Sequence, residues 1–139
     1  MTLTNKQKQA VRDRAQGCCE YCRVEESDRF STFHVDHIVS QKLGGTDDDS
    51  NLCLSCYKCN AYKGSHVAAI DPDTEDATKL YHPRLQVWDD HFRINEDATL
   101  TGLTPEGRAT VIVLRMNDTQ RVRQRQILIL ADEYPCTPN

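Results

Sequence analysis

A chain of 139 residues with 38% hydrophobic content and a mean hydropathy of −0.65 is one domain's length, with a core thin enough that a metal staple would help hold it. Its 17 basic and 21 acidic residues leave a net charge of −4, which excludes a protein that coats nucleic acid through bulk charge. The longest apolar run, Ile127-Leu128-Ile129-Leu130-Ala131, is too short for a membrane span, and Met1 to Lys8 has no apolar stretch, so neither a membrane partner nor a signal peptide is expected.

In chain order, Thr4 is placed to cap a helix over 5–16, with Gly17 as its stop. Lys6, Lys8, Arg12 and Arg14 make that helix basic, as a solvated face usually is. Residues 18–24 form a first cysteine knuckle. Residues 31–39 read as a strand, with Phe33, Val35, His37 and Val39 on one face and Thr32, His34, Asp36 and Ile38 on the other. Adjacent Asp36 and His37 then need an irregularity if both are to face one site. Gly44-Gly45 and the acidic run Asp47-Asp48-Asp49 make a loop, and residues 51–55 lead into a second knuckle followed by a short helix over 57–64.

Residues 71–75, acidic and Pro-containing, read as a linker. Trp88, Phe92 and Ile94 close the core from a second hairpin turning at Asn95-Glu96-Asp97. Thr104-Pro105 starts a helix that runs to about Met116, and another spans about 118–133. Arg121, Arg123 and Arg125 lie two residues apart and diverge by about 200° per step, so they read as solvated surface. The fold class expected is α+β. A zinc-stapled core with an N-terminal helix occupies 1–70, and a hairpin plus helical extension over 71–139 packs on it within one compact domain.

Seven cysteines stand at 18, 19, 22, 53, 56, 59 and 136. The odd count and paired spacing argue against a disulfide framework and for a reducing, cytoplasmic setting. Cys19, Cys22, Cys56 and Cys59 give C-x2-C, 33 residues, C-x2-C. Two-residue gaps let both sulfurs of a knuckle reach one zinc ion, and four thiolates close its shell, so this zinc is structural. Cys18 in place of Cys19 would leave a less usual gap. Cys53, between Leu52 and Leu54, belongs to the core, and Cys136 is idle near the terminus.

Between the knuckles lie Asp36, His37 and Asn51, and Asn60 follows Cys59. Neutral histidine is the usual base near pH 7, and Asp and Asn oxygens suit Mg²⁺ or Mn²⁺. Each residue alone also has a plain structural reading: a strand-end salt link, a turn, a polar helix position. In combination, Val35-Asp36-His37-Ile38-Val39, Gly44-Gly45, Asn51-Leu52 and Cys56-x-x-Cys59-Asn60-x-x-Lys63-Gly64 resemble the HNH endonucleases of the ββα-metal group. The likeness is close over 17–66 and extends through Pro83-Arg84 and Trp88–Arg93 to Gly102-Leu103-Thr104.

The resemblance implies a β-β-α core and a metal-dependent nuclease acting on double-stranded DNA, leaving 3′-hydroxyl and 5′-phosphate ends. It makes His37 the general base and Asp36 and Asn60 ligands of a catalytic Mg²⁺ or Mn²⁺. Asn51 would hold the loop that orients the histidine, and Lys63 would contact phosphate. Arg84 is a further candidate for DNA contact. His34, His66 and His91 read as local or exposed. One site per chain implies nicking, or double-strand cleavage by a homodimer or by two events. The rival readings are a zinc-stabilised nucleic-acid-binding module without cleavage and a purely structural zinc ribbon.

Overall fold

The computed structural model describes residues 2–27 and 32–139. Helix α1, Asn5–Ala15, begins at a capping box: Thr4 Oγ1 accepts from the Gln7 amide at 3.1 Å, and Gln7 Oε1 accepts from the Thr4 amide at 2.8 Å. Val11 and Ala15 are its buried residues. Two of its four basic residues are not merely solvated, whereas Lys6 and Lys8 are exposed. Arg12 bonds Glu26 and the Phe33 carbonyl, and Arg14 bonds Asp49 and the Leu52 carbonyl, so the helix clamps the chain after the first knuckle and the chain before the second.

Strand β1, His34–His37, pairs antiparallel with β2, Leu52–Ser55, in the register Asp36 opposite Cys53 and His37 opposite Leu52. The strand expected from 31 is shorter than the alternation suggested, and Ser31 itself lies outside the described residues. All of β2 is buried, as the run Leu-Cys-Leu-Ser between two layers requires. Helix α2, Tyr57–Lys63, follows at once, with the Cys56 sulfur accepting from the Cys59 amide at its start. These elements make the expected β-β-α unit.

Strands β3, Ala68–Ile70, and β4, Ala77–Lys79, form a hairpin. Residues 71–76 are its turn and not a linker. Asp71 is fully buried, accepts from the amides of Asp73 and Thr74, and meets Arg108 through two bonds of 2.8 Å. A carboxylate that closes a turn on its own backbone and pairs with an internal guanidinium belongs inside a fold, whatever its acidic neighbours suggest. The hairpin straddles the expected boundary at 70/71.

A short helix α3, Trp88–His91, leads into β5, Phe92–Ile94, which pairs with β6, Leu100–Gly102, around the expected turn. Helix α4, Pro105–Val113, starts on Thr104 as N-cap, and α5 spans Thr119–Leu130. The buried residues form one cluster, from Val11 through Leu54, Tyr81 and Trp88 to Leu114 and Tyr134. Trp88 donates to the Tyr21 carbonyl at 2.7 Å and stacks near Phe92, which ties the second hairpin to the first knuckle. Among the described residues, no helix is long and apolar enough to cross a membrane.

The tail departs from expectation. Cys18 and Cys136 are joined by a disulfide, with Cα atoms 5.4 Å apart, so Cys136 is not idle and the thiols outside the cluster reduce to Cys53. Tyr134 donates to the Cys22 carbonyl at 2.7 Å and the Cys136 amide to the Arg23 carbonyl at 2.8 Å, which brings the tail to the knuckle. A cysteine count is blind to a partner 118 residues away.

Candidate functional site

Two groupings of polar side chains share the β-β-α unit. The first is the thiol cluster. The sulfurs of Cys19, Cys22, Cys56 and Cys59 all lie within 4.8 Å of one another, all four residues are buried, and Cys22 and Cys56 are 3.7 Å apart. Sulfurs bound to one zinc at 2.3 Å in a tetrahedron stand about 3.8 Å apart, so the cluster fits that ion. Backbone amides of Cys22 and Cys56 point at the Cys19 sulfur at 3.5 and 3.3 Å, as expected around a charged thiolate. Burial pushes the Cys19 and Cys59 thiols up, whereas hydrogen bonds from its cysteine neighbours draw Cys22 down. Four thiolates at this spacing need a cation to hold their charge.

Arg121 reaches this cluster. Its Nη2 lies 3.0 Å from the Cys59 sulfur and 3.8 Å from that of Cys56, and its Nη1 donates to the Leu114 carbonyl at 2.6 Å. Arg125, one turn on, donates to the Ala98 carbonyl at 2.8 Å. Both are buried and only Arg123 of the three is exposed, which corrects the solvated reading. Steps of two residues diverge, but Arg121 and Arg125 are four apart and share a face.

The second grouping lies at the end of β1. Asp36 and His37 are both in regular register on β1, opposite Cys53 and Leu52, and the chain bends only after them, at Ile38, so the irregularity expected between the two is not seen. Asp36 is partly buried, and Lys63 Nζ sits 3.4 Å from its Oδ2 and 3.2 Å from the His37 carbonyl. Burial pushes the Asp36 carboxyl above its usual range and Lys63 draws it back only in part. Lys63 is 2% exposed and thus sits inside the unit, not on open surface. Asn60 stands on α2 one turn before Lys63.

His37 Nε2 lies 2.8 Å from Asp47 Oδ1, and both side chains are 20% exposed. Gln41 Nε2 donates to the same oxygen at 2.7 Å. These contacts, that of His37 foremost, hold the Asp47 carboxyl below its usual range. A carboxylate accepting from Nε2 places the ring proton there and leaves Nδ1 with the lone pair. Asp47 is the functional candidate that sequence reasoning missed. It stood in an acidic run that read as loop, and nothing in the spacing tied it to His37.

Asn51 organises the intervening loop. Its Oδ1 accepts from the Val39 amide at 2.9 Å, and its Nδ2 donates to the carbonyls of Val39 at 3.0 Å and Thr46 at 2.8 Å. Gly44 turns there with φ of +94°, and a Cβ at Gly45 would collide with the Val39 carbonyl, so the glycine pair is needed for the loop to fold back. A groove of about 890 Å³ opens beside the strand end, lined among others by Ile38, Val39, Lys63, His66, Lys79 and Tyr81.

His66, His82, His91 and Arg84 have local partners, His82 Nδ1 accepting from the Arg84 amide at 3.1 Å. His91 bonds Thr104 at 2.5 Å, His66 bonds the Lys63 carbonyl at 2.9 Å, and His34 is exposed. Arg84 is ion-paired with Glu20, whose other oxygen accepts from the Leu54 amide, and so lies against the first knuckle.

Comparison with known proteins agrees with the local geometry. The family model described as HNH endonuclease matches residues 19–66. The chain is 24% identical over 124 residues to the Septu protein PtuB of Bacillus thuringiensis, an alignment covering 88% of this chain and 45% of that protein. The chain therefore spans under half the length of this curated relative. No solved structure matches it.

Proposed function

We propose, taking residues 19–66 as the HNH endonuclease segment they match, that this protein is a metal-dependent nuclease hydrolysing phosphodiester bonds in double-stranded DNA. The observation that carries the reading is the bond between His37 Nε2 and Asp47 at 2.8 Å. It leaves Nδ1 as the base that takes a proton from the attacking water. Asp36 and Asn60 would hold Mg²⁺ or Mn²⁺, which when bound neutralises charge developing on the phosphate and the leaving 3′ oxygen. Expected products are 3′-hydroxyl and 5′-phosphate ends.

The rest of the machinery is positional. Asn51 ties Val39 to Thr46 and so holds the loop that carries Asp47 to His37. Lys63 draws Asp36 and the His37 carbonyl to one point and lines the groove, from which a phosphate contact would use its remaining donor. Lys79 lines that groove together with Lys63, with Glu106 as the acidic member of the lining, and would supply a cation to a phosphodiester strand. Arg84 contacts DNA only if it exchanges Glu20 for phosphate. One such site per chain nicks one strand; a homodimer or a second event would cut both.

The test is supercoiled plasmid incubated with Mg²⁺ or Mn²⁺. His37→Ala is expected to lower nicking by about 10²–10⁴-fold, the usual contribution of a general base. Equal nicking by wild type and variant overturns the reading. DNA binding with no nicking under any divalent ion favours the zinc-stabilised binding module instead.

A further inference from the structure

We infer that Arg121 is a charge-compensating member of the thiolate centre, tying α5 to the metal and setting how firmly the ion is held. The inference rests on zinc as the ion in the four-cysteine cluster. Four thiolates around one divalent cation carry two negative charges in excess, and this cluster is dry: Cys19, Cys22 and Cys59 are 0% exposed and Cys56 is 8% exposed. Uncompensated charge in such a place is costly unless a counter-charge is buried with it. Arg121, itself 5% exposed, puts a guanidinium nitrogen 3.0 Å from the Cys59 sulfur and 3.8 Å from the Cys56 sulfur.

The guanidinium is not there by accident of packing. Its second arm is anchored by the Leu114 carbonyl at the end of α4 at 2.6 Å, so the planar fork is held at a fixed angle to the sulfurs. A hydrogen bond to a thiolate draws electron density from the sulfur, which makes it a poorer target for protons and electrophiles and slows loss of the ion. Cys59 is also directly followed by Asn60 on α2, so the residue that steadies this sulfur steadies the backbone from which a proposed catalytic ligand projects. The neighbouring arginines differ: Arg125 bonds the Ala98 carbonyl and Asn117, and Arg123 is exposed.

The experiment compares zinc-loaded full-length wild type with Arg121→Met, Arg121→Lys and, as control, Arg123→Met. Bound zinc per chain and the rate of zinc transfer to a chelating dye are measured. After cobalt substitution, the sulfur-to-metal charge-transfer band is recorded. Arg121→Met is expected to release zinc about tenfold faster or more, with the band moved to lower energy. Arg121→Lys falls between, and Arg123→Met matches wild type. Wild-type release and an unmoved band in Arg121→Met overturn the inference. If Arg121→Met does not fold, Arg121→Gln, which keeps an N–H donor without the charge, is read by zinc release alone: release faster than wild type supports the inference and wild-type release overturns it. Wild type that holds no zinc sinks the zinc reading itself before any variant is compared.

Discussion

His37 and Asp47 are ten residues apart in the chain and 2.8 Å apart in space, and the pair determines which ring nitrogen can act. Removing the charge at Asp47 while keeping its shape frees the ring to take the other tautomer or to rotate. Asp47→Asn is therefore expected to lower kcat for nicking by about tenfold or more, below the full loss of a base, with KM and zinc content unchanged. An unaltered kcat shows that Asp47 merely packs there. Asp36 and Lys63 are similarly paired, by a largely buried ammonium that also bonds the His37 carbonyl at the edge of the groove. His37 and its neighbours were singled out as candidates by the family resemblance that their motifs carry together, since each alone also reads as a structural residue. Asp47 was not, because only the folded loop distinguishes it from Asp48 and Asp49, which are exposed.

Elements show the same division. The capped start of α1, the short α2 after the second knuckle and the Thr104-Pro105 start of α4 could be read locally, because caps and φ-restricted residues act within a few positions. The β3–β4 turn could not. Its acidic residues look like a solvated linker until Arg108 arrives from α4 to meet Asp71. The hydrogen bonds from Arg108, with those of Thr74 and Asp73, hold the Asp71 carboxyl well below the usual carboxylate range. A depressed folded value means the pair stabilises above the unfolded value of about 3.9 and is lost progressively as pH falls below it. Asp71→Asn should melt several degrees lower than wild type at pH 7, with the gap closing below pH ~4. A gap that persists unchanged in acid contradicts this account. In α5, the arginines of one face turn inward to thiolates and carbonyls, whereas a spacing of two in sequence suggested a dispersed surface.

At the scale of the molecule, the thiolate cluster joins distant parts of the chain. Cys19 and Cys22 come from the first knuckle, Cys56 and Cys59 from the second, Arg121 from α5, and the tail returns through Tyr134 and Cys136. Structural zinc supplies folding free energy of about 10 kcal/mol in small sites, comparable to the whole stability of a domain. Cys56→Ser, or stripping zinc from wild type with a chelator, should therefore unfold most of the chain, seen as loss of the cooperative melt by circular dichroism. It should also abolish any nicking, although the zinc has no part in cleavage. A normal melt for Cys56→Ser is incompatible with a four-thiolate staple.

What the sequence by itself determined is the part written in short-range chemistry. Paired C-x2-C gaps set the sulfur cluster, Gly44-Gly45 and Asn51 set the loop, and an Asp-His step at a strand end set the candidate site. Each works over a few residues, and the order in which they occur names the β-β-α unit. Only the tertiary structure decided which charges would be buried and with whom: Asp47 with His37, Lys63 with Asp36, Asp71 with Arg108, Arg121 with the thiolates, and Cys18 with Cys136. The reason is physical. A polar side chain is buried only where a partner compensates its lost hydration, and that partner is supplied by chain closure over tens of residues, which no local pattern records.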